Sequence, residues 1–455
     1  MTMSTTSRIW EEVVFGARDF FHLLVPELPQ RIPITWRTFP NTIAFFIPLT
    51  FLAYLARRPN TYLIRLLLLP LTLLMTLRSC FGYMWMMPRM NVYNWGEGLA
   101  CLVSICKALD YTFAKEGRFK VGEKSPGDSQ APAISKKDYD PKDPTKILSN
   151  GNGEVRRTGT ARPGSSFLPL WFEDAVELMC AFRGVGWDFG KFVYIPPETK
   201  PLERRAFLIA TLNSFAYNYF ALDFIEASLK LIPGVGTPIG ASIFFPSLPP
   251  IQRYAFSTLI HIASGCALMT GFQMVYDLVT LIGVGLLDHD PTSWPPVLDN
   301  PWISTSLNEF WAKRWHQLLR QTFIVMGGIP GKVLAGRIGM VLGTFLASGL
   351  YHECASIAMG REWDNRVVIF FAMQGVFVIL ERVWRQVTGK RVGGWPGLIW
   401  VYFDIMVLGQ PMVDAWHMRG LAGGLVIPPI LSPTRKFFFP LVSHLTGIEL
   451  NTDQL

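Results

Sequence analysis

An all-α, polytopic membrane bundle is the fold the sequence predicts, and three observations point to it. Half of the 455 residues are apolar and only 17% are charged, against roughly 25% charged in an ordinary soluble domain; mean hydropathy is positive, at +0.27. Several stretches of about 18 or more residues carry almost no charge, the length a helix needs to cross a hydrocarbon core of about 30 Å. The ten-residue alternation of an outer-membrane barrel is missing, and a helix satisfies its own backbone groups in lipid whereas an open sheet edge does not.

Taken in chain order, the expected spans are 42–56, 63–85, 95–114, 206–229, 254–287, 338–359, 367–387 and 398–413. The fifth is long enough for one tilted helix or two shorter ones, so about eight or nine spans are expected. Residues 1–114 form an N-terminal helical unit, 115–166 a flexible polar loop and 167–455 the main helical core. The loop's composition turns abruptly to Lys, Asp, Gly, Pro and Ser, with the runs SPGDSQAPA and SNGNGE, a makeup that cannot bury a core. Its eleven Lys and Arg residues favour the cytoplasmic side, with Arg57 and Arg58 expected on the same side. No inverted repeat of the transporter kind is evident.

The net charge of +8 is spread in short clusters between apolar spans, the pattern of membrane-flanking charge rather than of a nucleic-acid stripe. Six cysteines form no CxxC pair and sit mostly in apolar surroundings, which predicts neither a disulfide framework nor a zinc site. The first forty residues interrupt any apolar run with charges and prolines, so the first span is expected to do the targeting.

The chemistry points to two segments. GMVLGTFLASGLYHECASIAMG, ending at Gly360, is apolar except for His352 and Glu353. A charge in the membrane interior costs at least ~2.5 kcal/mol, so such residues are functional candidates. At helical spacing Thr344, Ser348, His352 and Ser356 form a polar stripe, while Gly339, Gly343 and Ala347 form a small-residue stripe that lets another helix approach. His352 reads either as a structural histidine bonded to a neighbouring helix or as a buried base, a role its ordinary pKa of about 6.5 suits. HECAS places Ser356 where a zinc protease's HExxH needs a second histidine. The other segment, SLNEFWAKRWHQLLR (306–320), is too charged to span. As one amphipathic helix it would put Trp311, Trp315, Leu318 and Leu319 on one face and His316 at the boundary. It reads as an interfacial anchor or as a helix carrying His316 to the wall of a channel. RGVGWDFG and GGIPGK lack the spacing of nucleotide cradles, and His261 and Asp277, in the fifth span, are expected to be structural, with His261 bonded across the bundle.

NEFWAKRWHQ followed by ASGLYHE resembles the membrane-bound O-acyltransferases, in their wax-synthase-like branch, whose members carry FWxRRWH or FWxRRWN and then SGLxHE. The segment Arg183–Gly190 is similar to the RGxGW element of fungal members that acetylate terpenoid and meroterpenoid secondary metabolites. The resemblance runs from about Gly184 to the C-terminus and departs from the pattern at Ala312 and Lys313. It implies a catalytic tunnel through the bundle, with His352 as catalytic histidine and His316 as the second motif residue. It implies acetyl-CoA as cosubstrate, with no permanently bound cofactor and no metal, and a hydrophobic alcohol as acceptor. Trp315, Arg314 and Ser348 are the expected substrate-binding neighbours, with Lys313 and Arg320 further candidates for the donor's phosphates. The implied setting is the endoplasmic reticulum membrane. A long-chain wax ester synthase is the nearest rival reading, and a transporter or sterol-binding membrane protein is the rival from another class.

Overall fold

A computed structural model of the chain describes residues 5–123, 126, 169–191 and 193–447; the 115–166 loop lies mostly outside the described residues. The long elements are helices: α1 (Thr5–Leu24), α2 (Phe46–Ala56), α3 (Tyr62–Gly82), α4 (Asn91–Phe113), α5 (Leu170–Cys180), α6 (Arg204–Lys230), α7 (Pro250–Gly285), α8 (Ile329–Ala358), α9 (Asn365–Thr388), α10 (Gly394–Phe403), α11 (Gln410–Met418) and α12 (Phe439–Thr446). Among the described residues the only sheet is a two-residue parallel pair, Ile32–Pro33 with Tyr83–Met84.

Six helical stretches among the described residues are long and apolar enough to cross a membrane: Phe39–Ala56, Tyr62–Gly82, Pro250–Gly285, Arg320–Ala358, Asn365–Thr388 and Gly394–Met418. The protein is therefore a polytopic membrane protein. All eight expected spans are helical, and the fifth is one helix of 36 residues. The third and fourth, α4 and α6, are not among the six. Their buried polar residues, Asn91, Asn94, Ser104 and Asp110 on α4 and Asn218, Asp223 and Glu226 on α6, lower their apolarity and are hydrogen-bonded inside the protein.

Helices α6 and α7 pack antiparallel along much of their length, since Ser214 near the start of α6 donates to Asp277 near the end of α7 at 2.6 Å. Lys200 and Gln273 complete the Asp277 site at 3.1 and 3.0 Å, so this carboxylate is structural, as its sequence context suggested. Arg57, expected on the same side as the 115–166 segment, pairs with a residue of that segment. Its side chain is 1% exposed, paired with Glu123 at 2.6 Å and laid over the Trp187 ring, so it fastens the chain after α4 to the end of α2.

The stretch Arg320–Ala358 is not a straight rod. Ala335 and Gly336 leave helical geometry, Gly336 at φ +58°, a left-handed conformation that glycine adopts at low cost. The chain folds back there into a hairpin whose arms touch through glycines: a Cβ on Gly343 would run into the carbonyl of Gly327, and one on Gly339 into that of Gly331. The predicted small-residue stripe Gly339, Gly343 and Ala347 thus does admit a close neighbour, namely the preceding arm of the same segment.

Candidate active site

His352 lies on the returning arm of that hairpin. Two close approaches fix its surroundings, because α4 crosses the arm at Gly98 against Ala355 and Ala358, and Gly349 lets α9 in against Val368 and Phe371. Phe371 then stacks on the His352 ring at 4.9 Å, Trp95 of α4 stacks at 6.3 Å, and Trp416 of α11 lies at 5.8 Å. Three helices distant in sequence therefore supply the walls of one aromatic chamber.

The FWAKRWH segment reaches this chamber in a form the amphipathic reading missed. Instead of one continuous helix, a short turn, Leu307–Glu309, is capped by Ser306, which accepts the Glu309 N–H at 3.0 Å, while Glu309 reaches back to accept the Thr305 N–H at 2.9 Å. Glu381 of α9 receives the Leu307 and Asn308 N–H groups at 2.7 and 3.0 Å. Phe310–Arg314 then widens into a π-helical turn, and Trp315 is extended at ψ 152°, so the helix ends immediately before His316. The Gln317 amide donates to the Trp311 and Trp315 carbonyls at 2.8 and 2.9 Å, satisfying groups the broken helix would otherwise leave bare. Both tryptophans turn inward. Trp311 packs on Phe371 at 6.1 Å and donates to Gln374 at 2.9 Å, and Trp315 stacks on Phe310 at 5.6 Å.

His316 sits against Trp315 at 5.4 Å and Phe272 of α7 at 4.8 Å. The rings of His316, Trp315, Trp311, Phe371 and His352 follow one another in contact, and the two imidazoles lie within electrostatic reach of each other. Burial holds the His316 imidazole down at about 4, because a low-dielectric surrounding disfavours its charged form. Among the described residues, Nδ1 of both His316 and His352 is buried without a hydrogen-bond partner, as are Nε1 of Trp95 and of Trp416. Buried polar atoms are seldom left so.

The other sequence candidates divide. Ser348, one turn from His352, is buried at 7% exposure. Trp315 touches the His316 ring. Arg314 is bonded to Glu309 at 2.8 Å and to the Asp299 carbonyl at 3.0 Å, which ties the FWAKRWH turn to the loop before it. Arg183, of the RGVGWDFG element, does the same upstream by donating to the Pro295 and Pro296 carbonyls, both at 2.6 Å. Glu353 turns away from the chamber at 0% exposure and makes a two-pronged pair with Arg419 at 2.7 and 3.1 Å. Residues that sequence reading did not single out, Trp95, Phe371 and Trp416, form the walls; each lies on a different helix, and no local motif marks it.

Residues 294–373, which hold both histidine motifs, match the membrane bound O-acyl transferase family. Over that stretch the chain is similar to the membrane-bound O-acyltransferases. It is 26% identical to the O-Mevalon transferase macI of Penicillium terrestre over 47% of this chain and 53% of that protein. To the acetyltransferase aurG of Calcarisporium arbuscula it is 27% identical over 42% of this chain and 44% of the relative. To the acetyltransferase sirH of Emericella nidulans it is 28% identical over 59% and 64%. The matched part thus spans less than two thirds of the length of each of these relatives. No solved structure matches the chain.

Proposed function

We propose that the protein is an acyl-CoA-dependent O-acyltransferase that moves an acetyl group from acetyl-CoA to a hydroxyl of a terpenoid or related secondary metabolite. The observation that carries this reading is the convergence of His316 and His352, from two separate segments, on one aromatic chamber with their Nδ1 atoms unpartnered. The names of the fungal relatives support acetyl transfer, and the macI name supports a larger acyl group.

In this reading His352 takes the proton of the acceptor hydroxyl as its oxygen attacks the thioester carbonyl, a general-base role worth ~10² to 10⁴ in rate. The tetrahedral intermediate collapses by breaking the carbon–sulfur bond, and the proton leaves with the CoA thiolate. A neutral His316 donates a ring N–H to the acceptor or to the developing oxyanion; its burial keeps it neutral at working pH. Trp315 and Ser348 wall the acceptor's path through a tunnel between the spans. Arg314, already committed to Glu309 and Asp299, shapes the donor's approach by fixing the turn that aims His316. The matched family segment lies in 167–455, which we assign as the catalytic core. Residues 1–114 complete the chamber through Trp95, and the loop 115–166 faces the cytoplasm of an endoplasmic reticulum membrane. Spans beyond the six would come from α4 and α6, for a total of eight.

The test is CoA thiol release from membranes supplied with acetyl-CoA or palmitoyl-CoA and a mixture of hydroxylated terpenoids. Acetyl-CoA should be consumed faster, and His352→Ala should lower turnover by ~10²-fold or more at unchanged expression. His316→Asn should be milder than His316→Ala, since Asn keeps a donor. A palmitoyl preference would promote wax ester synthesis. Normal turnover in well-expressed His352→Ala would overturn the mechanism.

A further inference from the structure

A second pair of imidazoles lies behind the Trp416 wall, where α7 meets α11. Ser257, His261 and Ser264 follow one another at helical spacing on α7, and Gln410 and His417 do so on α11. Two rungs of this ladder are closed. Gln410 bonds to Ser257 at 3.1 Å and to Thr258 at 2.8 Å, and His417 Nε2 lies 2.8 Å from Ser264 Oγ. Between them the His261 ring packs against Gly409, where a Cβ would come within 3.1 Å of its Cε1, so no side chain of that residue reaches its nitrogens. His261 and His417 are 6% and 4% exposed, lie within electrostatic reach of each other, and each has a buried Nδ1 without a partner among the described residues.

The direction of the Ser264 hydroxyl sets the His417 tautomer. Its single proton has two acceptors, the Ile260 carbonyl one turn back and His417 Nε2, each at 2.8 Å. With the proton on the Ile260 side, the usual back-bond of a helical serine, the oxygen accepts from His417, Nε2 carries the ring proton and Nδ1 is a bare lone pair. An imidazole with an acceptor nitrogen beside another that can donate from its own N–H complements one chemical group particularly well, a hydroxyl, which donates once and accepts once. Asp414, on α11 between Gln410 and His417, does not fill the place. It is committed to Ser242 at 2.7 Å, the Ile243 N–H at 2.9 Å and Arg366 at 2.6 Å.

We propose that His261 and His417 form a subsite for a second hydroxyl of the acceptor, so that the acceptor class is an apolar polyol acylated at one oxygen and held by another. The proposal rests on the acyltransferase reading. Trp416 places the subsite next to the chamber, since this residue precedes His417 and its ring faces His352 at 5.8 Å. A site built to bond a hydroxyl rejects an analogue lacking it far more strongly than an apolar pocket can, because its buried polar atoms are then left bare.

The experiment compares kcat/KM for a sesquiterpene diol and the matching mono-alcohol, each with acetyl-CoA, in membranes holding the full chain. The wild type should prefer the diol by ~10-fold or more. His417→Gln keeps a donor near the Nε2 position, and hence the Ser264 bond, but removes the Nδ1 acceptor. His417→Asn puts its amide near the Nδ1 position and keeps an acceptor there while losing the bond to Ser264. The diol preference should collapse in His417→Gln and survive in His417→Asn. A purely structural His417 predicts the reverse order of damage, with Asn the worse folded by detergent-extracted yield, and that result would overturn the proposal. A resident water bridging the two rings predicts no diol preference in the wild type, which would overturn it as well. Absence of thiol release with either alcohol in the wild type would instead count against the acyltransferase reading itself.

Discussion

Arg419→Met should destabilise the protein more than any exposed substitution, and the size of the loss follows from the Glu353 site. Glu353 is fully buried and receives two Arg419 hydrogen bonds, at 2.7 and 3.1 Å, and the Asp364 N–H at 2.7 Å. Arg419 also donates to the Ala415 and Glu362 carbonyls at 3.0 and 3.2 Å, so one ion pair joins the end of α8 to the start of α9 and the end of α11. Removing the cation strands a carboxylate with a single remaining donor, which costs about 3–5 kcal/mol. Glu353→Gln keeps an acceptor for Asp364 and for Arg419 but leaves the Arg419 cation without its counter-charge, and should likewise cost about 3–5 kcal/mol. The double variant Glu353→Gln/Arg419→Met leaves no buried charge, so it should recover part of the loss, with a coupling of about 1–3 kcal/mol. The assay is intrinsic fluorescence melting in a fixed detergent, for which the 15 tryptophans provide signal. Because the pair stands next to His352, kcat in the folded Arg419→Met fraction should also fall. Wild-type melting in Arg419→Met, or strict additivity in the double variant, would refute the reasoning.

Three further outcomes are expected. Gly343→Leu should abolish recovery of monodisperse protein by size-exclusion chromatography, because its Cβ has no room against Gly327, whereas Gly96→Ala, which meets nothing within 4 Å, should be tolerated. Burial holds folded His316 at about 4 while an unfolded histidine titrates near 6.5, so the unfolded chain binds the proton first as pH falls. The His316 contribution is therefore full above about 6.5 and is lost towards pH 4, and melting measured across that window should fall less steeply in His316→Asn. Carbonate washing should leave the protein in the membrane pellet and detergent should release it, since its spans satisfy their own backbone bonds in lipid; release by carbonate would contradict the six spans.

The spans were legible because apolar length is a local signal, and the two histidine motifs were legible because each is a contiguous run. The small-residue stripe was also legible, but its partner was not: Gly327 and Gly331 meet Gly343 and Gly339 only because the chain reverses at Gly336, and hydropathy does not register a turn made by one left-handed residue inside an apolar run. The break at Trp315 was hidden for a different reason. The amphipathic pattern from Ser306 to Arg320 is a good helix, and what acts on it is tertiary, the hold of Gln374 on Trp311 and of Glu381 on the Leu307 and Asn308 N–H groups. His261 and Asp277 looked alike from sequence, as lone polar groups in one long span. Asp277 finds Lys200, Ser214 and Gln273, and Nδ1 of His261 finds no partner among the described residues.

That contrast extends through the interior and explains how one bundle can be both rigid and receptive. Around the chamber the formal charges are spent on the scaffold: Glu353 with Arg419, Asp414 with Arg366, Asp277 with Lys200. Each pair bridges elements far apart in sequence, and breaking any of them would leave an unpaired ion where water is scarce, so the pairs set the positions of α8, α9 and α11 to within narrow limits. Around His316, His352, His261 and His417, the atoms bare among the described residues include the Nδ1 atoms of these four rings and the Nε1 atoms of Trp95 and Trp416; elsewhere single atoms of charged side chains that are otherwise bonded, such as Asp404 Oδ2 and Asp223 Oδ1, are bare as well. An unpartnered neutral donor or acceptor costs about 1–3 kcal/mol, well under the cost of an unpaired charge, so such groups can stand open between turnovers. Because they are uncharged, the proposed function needs no counter-ion to follow an alcohol's oxygen into the bundle.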